Sequence, residues 1–154
     1  MNTQISMFPE SSHILKGENI RNYVEGGHAV VTLKSPTGKH YTYAFNKPTD
    51  GKYTPDKRFV KVHYNNEWVY LGMYYNSHYQ SCFKKSDHCL FPDFDEVIKG
   101  VKYIIKMCNT PNLVTPMELY HEGVCCRCGR RLTDPKFIER GIGPKCAKMS
   151  MIGG

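Results

Sequence analysis

The stretch HAVVTLKSPTGKHYTYAF, residues 28–45, decides the fold. Its two arms, 28–34 and 39–45, are dense in β-branched and aromatic residues. Ser35-Pro36-Thr37-Gly38 between them has the composition of a tight turn, so the segment reads as a β-hairpin. Downstream, RFVKVHY (58–64) and EWVYLGMYY (67–75) repeat the arrangement across Asn65-Asn66. Tyr41, Tyr43 and Phe45 fall on one face of their strand, and Phe59, Lys61 and His63 oppose Val60, Val62 and Tyr64 on theirs. Sequential hairpins build an antiparallel sheet. The intervening NKPTDGKYTPDK (46–57) reads as a mobile, lysine-bearing loop.

Helical patterns flank this β section. One runs from Ile14 to Val24, with Gly26-Gly27 as its stop. The clearer one runs from Phe94 to Cys108, with Asp93 as cap and Glu96 in the capping-box position. Phe94, Val97, Ile98, Val101, Ile104, Ile105 and Cys108 form an apolar stripe, with Lys99, Lys102 and Lys106 on the far side. A helix of that kind covers one face of the sheet, so the expected class is α+β, an antiparallel sheet packed with helices. The expected organisation is a flexible leader over 1–12, an α+β core over 13–120 and a zinc-binding module over 121–154.

Composition narrows the function. A chain of 154 residues, 40% hydrophobic and 23% charged, is globular and of single-domain size, with room for a small appendage. It has no apolar run long enough to span a bilayer, and MNTQISMFPE lacks the layout of a secretion signal, so an intracellular setting is expected. The net charge of +7 favours polyanionic or acidic partners. Residues 121–154 hold seven of the 21 Lys and Arg and three of the 14 Asp and Glu, a net +4 from less than a quarter of the chain. Seven cysteines in a reducing compartment suggest metal ligation or burial before disulfides.

The tail carries the chemistry. Cys125 and Cys128 form C-x-x-C followed by Gly129, the shape of a zinc knuckle. In Gly141-Ile142-Gly143-Pro144-Lys145-Cys146 the proline suits the first turn of a helix, which places the Cys146 thiolate at a helix start. Asp134-Pro135 opens one or two helical turns between these halves. Knuckle, short connection and helix-borne ligand together describe a treble-clef-like zinc module. His121, four residues before Cys125, is the expected fourth ligand and Cys126 its competitor. One Zn2+ filled by protein ligands, Cys125, Cys128, Cys146 and His121, would be structural. The competing reading is unliganded thiols or a redox pair. His78, Cys82, His88 and Cys89 match no standard metal spacing and read as loop histidines and buried thiols.

Residues 121–146 resemble the C-terminal signature of an uncharacterised family encoded mainly by bacteriophages and prophages, H-E-G-x-C-x-x-C-G-R-x-L-T-D-P followed by G-I-G-P-x-C. Cys126 stands where that pattern commonly has glycine, and Phe137 where it has serine. Residues 24–75 resemble the family's β section more loosely. The resemblance implies a zinc-bearing phage accessory protein in the cytoplasm of an infected bacterium and supplies no activity.

The sequence holds no Ser-His-Asp pattern, P-loop, dinucleotide fingerprint or H-E-x-x-H, and Asp93, Asp95 and Glu96 are accounted for as helix-start acids. The expected function is therefore non-enzymatic: binding to a host protein or ribonucleoprotein and inhibition of a nucleic-acid-targeting defence complex, such as a CRISPR nuclease. Direct DNA or RNA binding through the basic tail is the first alternative and a metal-dependent nuclease the second. No membrane and no small-molecule substrate are expected. Arg127, Arg130, Arg131, Lys136, Arg140 and Lys145 are the candidate contacts. Tyr41, Tyr43, Tyr70, Tyr74, Tyr75 and Trp68, with Lys39, Arg58 and Lys61, form either a base-stacking platform or, as such tyrosines more often do, a set that is half core and half edge, and an exposed aromatic patch would serve a protein interface equally well.

Overall fold

Two tight turns set the register of the sheet in the computed structural model, which describes residues 13–48, 57–78, 80–123 and 125. The Gly38 N–H donates to the Ser35 carbonyl at 2.9 Å and the Ser35 N–H to the Lys39 carbonyl at 2.8 Å. Gly38 takes φ 90°, the left-handed residue that closes a three-residue hairpin loop. That loop joins β1 (His28–Lys34) to β2 (His40–Asn46). Asn65 and Asn66, at φ 51° and 66°, form the left-handed pair of a two-residue hairpin between β3 (Lys57–Tyr64) and β4 (Glu67–Ser77).

The chain continues into β5 (Gln80–Lys85), crosses the sheet as α2 (Glu96–Asn109) and returns as β6 (Glu118–His121); α1 (Glu18–Val24) precedes β1. The strands form one antiparallel half-barrel sheet in the order β5-β4-β3-β2-β1-β6. The α+β expectation holds. Both helices lie on one face, over Val31, Leu33, Tyr43, Phe45, Val60, Val62, Leu71 and Tyr74, and the stripe of α2 from Val97 to Cys108 completes this core.

The structure moves two boundaries and adds two strands. Ile14 bridges Tyr120 and the Leu15 N–H donates to Leu119 at 2.8 Å, so the first part of the expected first helix runs along β6 instead. Gly17, at φ 58°, turns the chain into α1. α2 starts at Glu96 because the Asp95 carboxylate accepts from the Val97 N–H at 2.8 Å. Phe94 therefore leaves the apolar stripe and is 76% exposed, and Asp93 pairs with Lys85 at 2.9 Å instead of capping. β5 and β6 add two strands that the periodicity does not announce. The leader over 1–12 and most of the 46–57 loop lie outside the described residues.

Candidate metal centre and binding surface

The cysteine-rich tail grows out of the core sheet. Antiparallel pairing of β6 with β1 sets His121 opposite Val31 and Leu119 opposite Leu33, so both side chains enter the helix-covered face. His121 is fully buried. Its ring stacks on His13, with centroids 4.9 Å apart and planes at 9°, and lies 5.2 Å from the Tyr23 ring. The Gly123 N–H donates to His121 Nδ1 at 2.9 Å. Gly123 takes φ 78°, and a β-carbon there would come within 3.0 Å of the His13 ring, so glycine suits both the turn and the close approach. Two residues on, Cys125 is fully buried.

Of the four expected zinc ligands, His121 and Cys125 are described, and both are buried at the exit of β6. Cys128 and Cys146, the competitor Cys126, and the candidate contacts Arg127, Arg130, Arg131, Lys136, Arg140 and Lys145 lie outside the described residues. A metal-bound imidazole gives one nitrogen to the ion and donates a hydrogen bond from the other. Here Nδ1 accepts the Gly123 N–H. Ligation through Nε2 would place a proton on Nδ1 and turn the Gly123 amide away. Cys125 and His121 are side chains of zinc-binding type, and ligation by His121 would require giving up its hydrogen bond from Gly123.

His13 is the residue that sequence reasoning missed. Its Nδ1 is buried without a hydrogen-bond partner among the described residues, and the β6 pairing brings it against His121 and Gly123. Among the described residues no group of three metal-binding side chains converges, and His78, Cys82, His88 and Cys89 do not form one. Cys82 lies in β5 and Cys89 in the turn after it.

The tyrosine-rich strands divide by face. Tyr43 and Tyr74 are fully buried beneath the helices. The Tyr43 hydroxyl donates to the Val97 carbonyl at 2.8 Å, and the Tyr74 hydroxyl donates to the Glu25 carboxylate. Arg58, 4% exposed, donates from Nε and Nη2 to the Glu25 carbonyl at 3.2 and 2.6 Å, holding the C-terminal end of α1. Lys39 pairs with Glu96 at the start of α2. Tyr41, opposite Leu33 on the helix-covered face, leaves the candidate platform together with Tyr43, Tyr74, Arg58 and Lys39.

The opposite face keeps the rest. The registers Phe59↔Met73, Lys61↔Tyr70 and His63↔Trp68 set six side chains of β3 and β4 together, and Lys57↔Tyr75 and Met73↔Lys84 extend the row. Trp68 is 46% exposed and Tyr70 41%. Phe59 meets Tyr70 edge-on at 6.0 Å, and His63 lies 5.0 Å from Trp68. β2 adds Thr42 and Ala44 to this face, opposite His63 and Lys61.

Residues 116–149 match a family of unknown function, DUF6011. The matched segment takes in β6 as well as the cysteine-rich tail. No curated protein and no solved structure matches the chain. Among the described residues no helix is long and apolar enough to cross a membrane.

Proposed function

We propose that the protein is a non-enzymatic binding protein of phage origin whose zinc-stapled, basic tail occupies a surface of a host nucleic-acid-targeting defence complex, as an anti-CRISPR inhibitor does, in the bacterial cytoplasm. One observation carries the reading. The tail leaves the core through a buried junction made of His121 in β6, the Gly123 turn and Cys125, which would mount it on the sheet where a linker would let it swing. Zn2+ held by Cys125, Cys128, Cys146 and His121 would close that segment, which is too polar to build a core of its own. The ion's contribution is structural. Arg127, Arg130 and Arg131, beside the knuckle cysteines, would then meet acidic or phosphate groups of the partner from a fixed base.

Elemental analysis of the full-length protein and capture from bacterial lysate, with and without nuclease, test this. One zinc per chain is expected, with a nucleic-acid-targeting complex retained after nuclease treatment and lost in the Arg130→Ala/Arg131→Ala variant. Absence of zinc, or a target nuclease that keeps full activity beside saturating protein, overturns the reading. The charge excess of the tail favours direct nucleic-acid binding as the second reading, and recovery that disappears with nuclease selects it.

A further inference from the structure

We propose that the face of β2–β5 turned away from α1 and α2 binds single-stranded nucleic acid, with bases stacking on Trp68 and Tyr70 and phosphates meeting Lys57, Lys61 and Lys84. This site goes beyond the tail reading and uses no residue of the tail. Large aromatic rings are normally drawn into a protein's core, and Tyr43, Phe45 and Tyr74 of this sheet's other face are fully buried. Trp68 and Tyr70 instead stand 46% and 41% exposed, side by side on alternate positions of β4. Two such positions lie about 7 Å apart along a strand, so successive unstacked bases can meet successive rings. The rings are also braced: Phe59 meets Tyr70 edge-to-face and the His63 ring lies tilted against Trp68. Bracing fixes the aromatic planes before a base arrives, which lowers the ordering cost of binding.

Charge on this face has one sign. Lys61 pairs in register with Tyr70, Lys57 with Tyr75, and Lys84 with Met73, while the residues of β2–β5 that share the face include no carboxylate. Lysines interleaved with exposed aromatics match a polyanion that carries flat rings. An acidic protein patch would satisfy the lysines without supplying a run of flat rings to stack on Trp68 and Tyr70. Duplex DNA keeps its bases stacked on one another and offers none to stack on Trp68 and Tyr70.

Trp68 is the only tryptophan in the chain, so its emission reports on this face alone. The full-length protein is titrated with a dT oligonucleotide and with the matching U oligonucleotide, each about 15 nucleotides long; a duplex of the same length and heparin are the controls. Trp68 emission is expected to be quenched by one or both single strands, with the two arms reporting any preference between DNA and RNA. Affinity should fall with added salt at a logarithmic slope near −2, as for about three phosphate contacts. Tyr70→Ala should weaken binding about tenfold or more. Trp68→Phe, followed by anisotropy of a labelled strand, should retain most of the affinity that Trp68→Ala loses. Lys61→Gln should reduce the salt slope by about 0.7. Thermal melts matching the parent protein show that the variants fold. The proposal is overturned by absent quenching, by heparin or duplex binding as tightly as the single strands, or by Tyr70→Ala and Trp68→Ala binding unchanged. Binding that survives those two changes and disappears in Arg130→Ala/Arg131→Ala places the nucleic acid on the tail, and also overturns it.

Discussion

Gly100 lies in the middle of α2, where alanine would ordinarily stabilise the helix by about 1 kcal/mol. A β-carbon there would overlap the Tyr43 hydroxyl and sit 3.3 Å from Tyr43 Cζ and 3.7 Å from Leu33 Cδ2. That hydroxyl is fixed by its bond to the Val97 carbonyl. Gly100→Ala is therefore expected to destabilise the protein by about 1–2 kcal/mol. Tyr43→Phe alone should cost about 1 kcal/mol for the lost hydrogen bond. The double variant should recover at least about 1 kcal/mol relative to the sum, because removing the hydroxyl makes room for the methyl. Urea denaturation of the four proteins measures the coupling, and strict additivity would show that the helix does not approach the sheet at this point. In the sequence Gly100 only interrupts a good helix, and Arg58 only adds a cation to an aromatic strand. What each does depends on a partner far away in the chain, the Tyr43 hydroxyl for one and the Glu25 carbonyl for the other.

At the level of elements, α2 closes the edge of the sheet through one side chain. Asn109, the last residue of α2, accepts from the Ser81 N–H at 2.7 Å and donates to the Ser81 carbonyl at 2.8 Å, as a neighbouring strand would. It also accepts from Arg21 of α1 at 2.8 Å. β5 is an edge strand and Ser81 is 2% exposed, so these groups have little access to water. Asn109→Ala is expected to cost about 2–3 kcal/mol in urea melts and to raise hydrogen exchange at the Ser81 amide. A loss below about 0.5 kcal/mol would mean that the edge is satisfied in another way. The legibility of elements tracks the strength of their local signals. β1–β4 combine alternation with Gly and Asn turns, and α2 has a long apolar period, so all five are readable. β5 comes after a turn at His78, φ 52°, without a Gly, Asn or Pro signal at that position, and the four residues of β6 are too few to show a period. The start of α2 shifted by two residues because Asp93 and Asp95 are both acceptable caps, and only the salt bridge to Lys85 assigns Asp93 elsewhere.

Across the whole molecule, one core buries groups that ionise at alkaline pH. Burial pushes the Cys108 thiol from 9.0 up to about 12. Burial pushes the Tyr43 and Tyr74 phenols well above 10.0, with Glu25 adding to the effect at Tyr74. In the unfolded chain these groups lose protons near their ordinary values, while the folded chain retains them. Stability is therefore complete below about pH 8.5 and falls as pH rises through 9 and 10, by up to about 1.4 kcal/mol per pH unit for each group fully ionised only when unfolded. Urea melts at pH 7, 9 and 10.5 should show the decline, and Tyr43→Phe should flatten it. At pH 8.5 iodoacetamide should modify the half-buried Cys82 and Cys89 and spare Cys108 in the native protein. Equal labelling of all three would contradict this core.

The sequence by itself determined what local chemistry determines: two hairpins, one amphipathic helix, the α+β class and the cysteine spacing of the tail. These rest on periods and turn residues within a few positions of one another. Only the tertiary structure decided which tyrosines are core and which face solvent, because alternation separates two faces without saying which the helices will cover. It also decided that His121 closes β6 against His13 and Tyr23, since pairing between distant segments leaves no mark in local spacing.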